Sequence, residues 1–421
     1  MSRRYGIQAN ARQFGLQLLQ VFQVGLTLGM TRTVIPVMAE ADFGVPKGSF
    51  LLLTSFVVAF GLVKAGMNFL AGRLSERHGR RTVLEWGWWL ALPMPWLMGF
   101  APSWGWVVAA TVLLGINQGL TWSMTQTAQL DLTRPEERGL TLGLNEFAGY
   151  AGVALAGMVT ASLAAIWGVR PALMLFGGLT TVSALLLARY ALQETLPWVR
   201  SRTTPAATAN PQAVLATRAV FWRMSGGDLR LMALSQAGLV EKFVDALVWV
   251  FVPVYLHREG LTLPEVGGVT GVYGLVWGVA QLGTGRLSDR LGRHGLNVGG
   301  MWLCGAGVAL MVSGHGAVWW LASAAVTGLG MALLYPNLSA AVADLADPAW
   351  RGSAIGIYRF WRDLGYGVGA LLLGGVAHFS GQLEPAFWAV AAAMGASGAC
   401  LLVCGEESHP GLARRAQAPQ G

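Results

Sequence analysis

Long apolar stretches without a charged residue dominate the chain. Residues 86–130 and residues 294–343 contain no Asp, Glu, Lys or Arg. A helix of about 20 apolar residues crosses the hydrocarbon layer of a membrane. Divided at charges, prolines and glycine turns, the sequence predicts spans at 14–38, 50–73, 83–101, 105–131, 139–165, 171–193, 232–256, 266–286, 297–314, 317–343, 353–378 and 384–405.

The twelve predicted spans form two groups of six around a polar segment. Residues 194–230 contain Pro197, Pro205 and Pro211 and several arginines, which is typical of a connector. An interfacial helix is predicted near 213–224. The sequence therefore predicts an N-terminal bundle at 1–193, a connector at 194–230, and a C-terminal bundle at 231–421 that ends in a short tail.

The composition excludes a soluble cytosolic protein. Charged residues make up 12% of the chain, whereas soluble proteins have about 25%. The three cysteines lie in apolar stretches and form no zinc or disulfide pattern, and the sequence has no Walker loop and no nucleophile motif. We therefore expect a protein that is not an enzyme and that has no cofactor and no metal.

The basic residues predict the orientation. If both termini are cytoplasmic, 21 arginines fall on the cytoplasmic side, and only Lys47, Arg170 and Arg258 fall outside. Cytoplasmic loops are enriched in basic residues, which also explains the net charge of +8 without a nucleic acid partner. Residues 1–15 show no clear cleavage site, so we expect an uncleaved first span in the plasma or inner membrane.

The two halves repeat each other at a distance of 213 residues. Residues 72–80 read GRLSERHGR and residues 285–293 read GRLSDRLGR. The same shift places Asp131 on Asp344 and Arg138 on Arg351. Because both copies lie on the same predicted side, the halves should be related by an axis along the membrane normal.

The repeated turn resembles that of a known family. Residues 72–81 are similar to the Gly-x-Leu-x-Asp-Arg-x-Gly-Arg-Arg turn between spans 2 and 3 of the major facilitator superfamily, with Glu76 in place of Asp. The resemblance covers the whole chain. It implies an all-α membrane protein with twelve transmembrane helices in two pseudo-symmetric bundles of six, and a secondary transporter.

In that family the turn acts as a cytoplasmic gate between the two halves. The resemblance implies this role for a set of residues that we call the latch residues. They are Gly72, Glu76, Arg77, Gly79, Arg80, Arg81, Asp131, Arg138, Gly285, Asp289, Arg290, Gly292, Arg293, Asp344 and Arg351.

Nine charged residues lie inside predicted spans. An isolated charge near the centre of a membrane costs about 2.5–3.5 kcal/mol, so each requires a partner or a watery cavity. We therefore treat them as candidates for a functional site. They are Arg32, Lys64, Lys242, Arg359 and Arg362, and Glu146, Glu241, Asp245 and Asp363.

The depth of these charges suggests roles. Helical rise places Lys64 and Asp245 near mid-membrane, Arg32 toward the outside, and Glu146 and Arg359 nearer the cytoplasmic end. Glu146 and Arg359 are also equivalent under the 213-residue shift and can form a gate pair. Neutralisation between neighbours, which would serve packing alone, stays an alternative.

The nine charges, together with uncharged residues of the predicted spans, supply the candidates for proton coupling and for the substrate cavity. A cavity poor in water disfavours the charged form of an acid, which is the basis of proton coupling. The proton-coupling candidates are Asp245, then Glu241 and Glu146, and Asp363. The substrate-cavity candidates are Arg32, Lys64, Gln118, Trp122, Gln126, Lys242, Tyr335, Asn337, Arg359 and Arg362.

Three functions fit these observations. The leading hypothesis is a monomeric, proton-coupled secondary transporter of a small solute that alternates access by rocking its halves within the lipid bilayer. The second is a carrier of an organic anion that uses Arg32 and Lys64. The third is a sensor that keeps the fold without transport, although that role would not need charges along the pathway.

Overall fold

The computed structural model of the protein describes residues 5–46, 48–134, 137–198, 217–347 and 350–409. Regular structure is helical throughout these ranges, and they contain no β-strand. This agrees with the predicted all-α fold. The connector predicted at 194–230 is described only at 194–198 and 217–230. The second of these parts contains a short helix at Thr217–Trp222, followed by a π-helical turn at Arg223–Gly227.

The α-helices are numbered here in chain order. The first group is α1 (Ala11–Arg32), α2 (Val34–Phe43), α3 (Phe50–His78), α4 (Arg80–Ala91), α5 (Met94–Gly99), α6 (Trp104–Leu132), α7 (Arg138–Trp167) and α8 (Val169–Tyr190). After α9 (Thr217–Trp222), the second group is α10 (Leu229–Arg258), α11 (Leu263–Leu291), α12 (His294–Ser313), α13 (Ala317–Leu345), α14 (Arg351–Ser380) and α15 (Glu384–Cys404). We call the two groups the N-terminal and C-terminal halves.

Two predicted spans are broken, which corrects the expectation of one helix each. The first consists of α1 and α2, which meet at Thr33, and the third consists of α4 and α5. Proline removes a backbone N–H and its ring clashes with the carbonyl four residues earlier. Pro36 stands four residues after Arg32, and Pro95 stands four after Ala91, so both breaks begin where the proline disrupts the helix.

The internal repeat is visible in the helix bounds. α3 begins at Phe50 and α11 at Leu263, 213 residues later, and their ends at His78 and Leu291 have the same separation. The same shift relates both bounds of α6 to α13 and both bounds of α7 to α14. Residues separated by 213 positions are therefore structurally equivalent in these helices.

The number of spans remains a prediction. Within the described residues, nine helical segments are long and apolar enough to cross a membrane, and α1 with α2 counts as one. The predicted spans at 83–101, 232–256 and 353–378 are not among the nine. The first is divided between α4 and α5, and α10 and α14 carry six of the nine charges predicted inside spans. The cytoplasmic placement of both termini also stays a prediction.

Polar contacts join the halves at one end of the molecule. We call the end with the turns at Gly79 and Gly292 the motif end, and the end with Glu40 and Arg258 the opposite end. Arg258 Nη2 and Glu40 Oε1 form an ion pair of 2.5 Å between the halves. One hydroxyl–hydroxyl hydrogen bond of 3.3 Å joins Thr33 to Thr270. The halves are thus linked at the opposite end.

Two helix pairs pack across the contact between the halves. α3 packs against α14, and α7 packs against α11. A Cβ atom at Gly61 would collide with the backbone of Gly367, so these helices need glycine to approach so closely. Nearer the motif end, a Cβ at Gly143 or Gly356 would meet nothing within 4 Å. The glycines of these helices that touch the other half, such as Gly61, Gly267 and Gly374, therefore lie at the middle or toward the opposite end.

Candidate solute pathway

Asp245 forms the most heavily bonded site between the halves. Its side chain is fully buried on α10. It accepts hydrogen bonds from Arg32 Nη1 at 3.2 Å, Lys242 Nζ at 2.8 Å, and the hydroxyls of Tyr273 and Tyr366 at 3.1 Å each. Two cations and two hydroxyls therefore satisfy one carboxylate, which favours its ionised form.

The bond between Arg32 and Asp245 joins equivalent positions of the two halves, because the two residues are 213 apart. Sequence analysis placed Arg32 toward the outside. The side chains of Arg32 and Asp245 nevertheless meet, and the depth of Arg32 in the membrane stays a prediction.

Aromatic rings surround two buried lysines. Lys242 Nζ lies 4.9 Å from the ring centroid of Trp277 and 4.8 Å from that of Tyr335. Lys64 Nζ lies 5.7 Å from the ring of Trp122 and 5.0 Å from that of Tyr366. Cations over ring faces gain about 0.5–2 kcal/mol, which offsets part of the cost of burial.

A second charged group stands on α14. Arg362 Nε is 3.1 Å from Asp363 Oδ1, and the guanidinium lies 4.6 Å from the ring centroid of Tyr335. The other oxygen of Asp363 accepts a hydrogen bond from Asn68 of α3. Asn68 in turn accepts from the Ser123 hydroxyl at 2.8 Å. This chain of bonds links the two halves at the cavity.

Two acids keep unbonded oxygens. Glu146 Oε1 accepts hydrogen bonds from Trp122 Nε1 at 3.1 Å, Asn145 Nδ2 at 3.3 Å and Gln126 Nε2 at 3.4 Å. Its Oε2 is buried with no hydrogen-bond partner in the described part of the chain, and the same holds for both oxygens of Glu241. Lys242 Nζ lies 3.6 Å from Glu241 Oε1, which is an ion-pair contact without a hydrogen bond.

A cavity between the halves brings together most of the predicted pathway residues. It is lined by Leu28, Lys64, Asn68, Trp122, Ser123, Gln126, Glu146, Tyr150, Lys242, Tyr335, Arg359, Arg362, Asp363 and Tyr366. Arg32, Glu241 and Asp245 do not line it. The remaining two candidates do not line it either. Gln118 donates to Val24 O at 2.8 Å and so joins α6 to α1, while Asn337 donates to Leu333 O of its own helix.

Several pathway residues were absent from the sequence prediction. The hydroxyls of Tyr273 and Tyr366 bond Asp245, Asn68 bonds Asp363, and Tyr150 lines the cavity. Asn68 carries a sequence signal, because it lies four residues after Lys64 on the same helix face. The three tyrosines carry none, since their roles depend on how α7, α11 and α14 are rotated.

Ion pairs of the latch residues lie within each half. Arg80 Nε is 2.9 Å from Asp131 Oδ2, and Arg293 Nη1 is 3.0 Å from Asp344 Oδ2. These two pairs are equivalent under the 213-residue shift. They hold the motif turn against the end of α6 or α13 in the same half.

The remaining latch residues are exposed, form contacts within their own half, or have side chains outside the described part of the chain. Glu76, Arg77 and Arg290 are exposed. Arg81 pairs with Glu85 at 2.8 Å, and Arg351 Nε donates to Ala346 O at 3.3 Å. The side chains of Arg138 and Asp289 lie outside the described residues. A gate between the halves at this turn therefore stays a prediction.

Two carboxylates that sequence analysis did not consider cap the helices after the motif turns. Glu194 accepts from the backbone N–H groups of Arg80 at 2.8 Å and Arg81 at 3.1 Å. Glu407, 213 residues later, accepts from those of Arg293 at 3.0 Å and His294 at 3.2 Å. An anion at a helix N-terminus is stabilised by free N–H groups and the helix dipole.

The capping carboxylates explain the second glycine of each motif. Gly79 has φ +94° and Gly292 has φ +91°, and a Cβ at either position would collide with the carboxylate of Glu194 or Glu407. Burial raises the pKa of the Glu407 carboxyl, but hydrogen bonds from three backbone N–H groups outweigh this and hold the pKa below its usual value.

Comparison with known proteins agrees with this architecture. The family model described as Major Facilitator Superfamily matches residues 18–370 and 234–420. The chain is 23% identical over 389 residues to the Uncharacterized MFS-type transporter STM4428 of Salmonella typhimurium, covering 88% of this chain and 90% of that protein.

Two solved structures share the fold. A D-xylose-proton symporter superimposes with a TM-score of 0.73 and 18% identity over 94% of this chain and 99% of that one. The human organic anion transporter MFSD10 (TETRAN) gives 0.70 and 18% over 93% and 99%. The chain therefore belongs to the Major Facilitator Superfamily and is a multi-span membrane transporter of that family rather than an enzyme.

Proposed function

We propose that the protein is a secondary active transporter of the plasma or inner membrane that carries a small solute by alternating access, coupled to protons and functional as a monomer in lipid. The observation that carries this proposal is the cluster of buried charges between the halves. Arg32 and Asp245 bond across the halves, while the equivalent Glu146 and Arg359 flank the cavity nearer the motif end. Rocking of the halves would change both relations.

The proton is assigned to Glu146 and Glu241 in preference to Asp245. Asp245 has four hydrogen-bond donors, two of them cationic, so protonating it would break a satisfied network. Each glutamate has a buried oxygen without a hydrogen-bond partner in the described residues. A carboxyl group in that setting can take up a proton without losing a donor. A proton symporter shares the fold, which supports proton coupling in general.

A specific observation also favours the organic-anion hypothesis, with Arg359 in place of Arg32. Arg32 is engaged by Asp245 and is therefore not available to a solute. Lys64 and Arg359 line the cavity instead. We assign anion binding to that pair. An organic anion transporter shares the fold, which supports an anionic solute in general.

Transport by purified protein in liposomes tests the proposal. A panel of neutral, anionic and cationic solutes is offered with an imposed pH gradient of either sign, and uptake and internal pH are recorded together. We expect at least one solute to accumulate with one sign of gradient only. Solute uptake that is indifferent to both gradients would remove proton coupling, and an absence of flux for all solutes would favour the sensor hypothesis.

A further inference from the structure

Two cationic side chains in the cavity lack a carboxylate partner. Lys64 is 6% exposed and Arg359 is half-buried, and both line the cavity. Among the residues that the structure describes, no carboxylate oxygen lies within 4.0 Å of either side chain. A buried cation without a counter-charge is costly. An anion bound in the cavity would supply the missing counter-charge.

The charge balance of the site points the same way. Arg32 and Lys242 share the single carboxylate of Asp245, and Arg362 pairs with Asp363. Five basic and four acidic residues give the site an excess of one positive charge. Protonation of Glu146 would increase that excess to two. An anionic guest would reduce it.

The cavity walls are flat and aromatic. Trp122, Tyr150, Tyr335 and Tyr366 line it. Trp122 and Tyr335 each meet Tyr150 edge to face, with ring centroids 5.5 and 5.8 Å apart. Such walls favour a flat ring, because aromatic pairs are stabilised beyond simple burial.

We propose that the solute is an organic monoanion with a flat unsaturated ring, whose carboxylate binds Lys64 and Arg359 and whose ring packs against the aromatic walls when the halves separate to widen the cavity, which in this structure has room for about one water molecule. This inference rests on the proposed transport function and names its substrate class. An amide group of Gln126 or Asn68 in the same cavity can donate to a further oxygen of the solute.

Glu146 competes with this solute for the same cations. It is 4% exposed, lines the cavity and has a free oxygen within the described structure. When ionised it places a negative charge in the same cavity as Lys64 and Arg359, and when protonated it leaves both cations to the solute. Solute and proton therefore bind together, and the coupling is symport.

Several other charged or titratable groups face Glu146 from the surrounding helices, and they set the field in which it titrates. They are Lys64 on α3, Tyr150 on α7, Lys242 on α10, Tyr335 on α13, and Arg359, Arg362 and Asp363 on α14.

Calorimetric binding to the purified full chain, without a membrane gradient, tests the inference. The probes are benzoate, neutral benzamide, cationic benzylamine, and cyclohexanecarboxylate, which keeps the charge without the flat ring. We expect benzoate to bind at least about tenfold more tightly than benzamide, because a charge-assisted bond discriminates by that factor. Cyclohexanecarboxylate should bind more weakly than benzoate, and benzylamine should not compete with it.

Matched variants locate the site. Lys64→Met and Arg359→Gln should each weaken benzoate binding at least about tenfold, while Lys64→Arg, which keeps the charge, should retain it. Arg12→Gln is the control, because Arg12 is exposed on α1, outside the cavity. Glu146→Gln should bind benzoate at least as tightly as the wild type, because it leaves both cations to the solute.

Other outcomes would overturn the inference. These are equal binding of benzoate and benzamide, no benzoate binding by a correctly folded wild type, or unchanged binding in folded Lys64→Met. Gel-filtration elution and melting temperature establish folding for each variant. Benzoate binding without gradient-driven uptake would refute the transport function and leave the site intact. Proton-driven uptake of neutral D-xylose without benzoate binding would refute only this inference.

Discussion

Two pairs of equivalent positions carry opposite charges, but only one of the two pairs is in contact in the described structure. Arg32 and Asp245 are 213 residues apart and form an ion pair of 3.2 Å. Glu146 and Arg359 are also 213 apart, but no ion pair joins them in the described structure. Equivalent positions of two halves related by an axis along the membrane normal face each other across that axis. Both pairs thus have the opportunity to meet.

We attribute the difference to a tilt of the halves. α7 and α14 approach their partners at the opposite end and leave open space around Gly143 and Gly356 nearer the motif end. We expect a rocking motion that closes the motif end to bring Glu146 toward Arg359 and to strain the bond between Arg32 and Asp245. Each ion pair would then stabilise one of two states, as a population shift requires.

The largest expected effect comes from Asp245→Asn. The variant leaves Arg32 and Lys242 buried without their shared carboxylate, and removing one partner of a buried pair costs about 3–5 kcal/mol. We expect a clear fall in melting temperature in detergent and a loss of solute accumulation. Arg32→Gln combined with Asp245→Asn should recover part of the loss, because one of the stranded cations is gone.

A matched control is Arg170→Gln. Arg170 pairs with Asp42 at 3.1 Å within the N-terminal half, with both side chains one-third exposed. Its loss should change the melting temperature much less than Asp245→Asn. If Asp245→Asn instead melts like the wild type, the bond between Arg32 and Asp245 does not hold this state together.

The sequence predicts the helices well because charges and turns mark their ends. The predicted span at 105–131 corresponds to α6 at Trp104–Leu132, and the span at 139–165 to α7 at Arg138–Trp167. Proline was a poorer guide. Pro36 and Pro95 lie just after helix breaks, whereas Pro253 and Pro336 lie inside continuous helices. Neighbouring helices decide which outcome occurs, and they are not visible in a local pattern.

The sequence predicts which residues belong to the candidate site but not which of them contact each other. The 213-residue shift identified Glu146 and Arg359, and applied to Arg32 it leads to Asp245. The rest depends on helix rotation and packing. Gln118 has the chemistry of a solute ligand but instead bonds the backbone of α1, because a buried amide must be satisfied wherever its helix places it.

A smaller effect is expected for Glu146→Gln and Arg359→Gln. These changes remove a contact of the other state, worth about 1–3 kcal/mol, so they should favour the present state by about 5-fold to 100-fold. Spin labels at Leu140 on α7 and Ser353 on α14, both exposed, report the width of the motif end. We expect a smaller population of short distances in each variant. The exchange Glu146→Arg with Arg359→Glu should restore that population. If neither the reduction in the single variants nor the recovery in the exchange is observed, this pair has no role in gating.

Glu194 and Glu407 are a third pair of equivalent positions, but they carry the same charge and both cap the helix that follows the motif turn. Glu407→Gln should lower stability by about 0.5–2 kcal/mol without changing the distances between labels at the motif end. The folded state holds the pKa of Glu407 below its usual value. Its contribution is therefore present above the unfolded value of about 4.3 and is lost as the pH falls through the lowered folded value.

Melting curves at several pH values check that sign. The difference in melting temperature between the wild type and Glu407→Gln should be largest near neutral pH and should shrink as the pH falls below about 4. A difference that grows on acidification would contradict the capping role of Glu407.

The smallest expected effect is at the opposite end, where Arg258 and Glu40 form an ion pair of 2.5 Å with side chains 36% and 22% exposed. Exposed pairs contribute about 0–1 kcal/mol, so Arg258→Gln should open this end by no more than about fivefold, and by less at high salt, which already screens the pair. A cysteine at Thr33, which is buried at the contact between the halves, reports opening through its maleimide reactivity in a background without the three native cysteines. Arg170→Gln should leave that reactivity unchanged, since its ion pair lies within one half. Reactivity that rises far more than fivefold in Arg258→Gln would mean that the surface pair, and not the buried pair of Arg32 and Asp245, holds the opposite end closed.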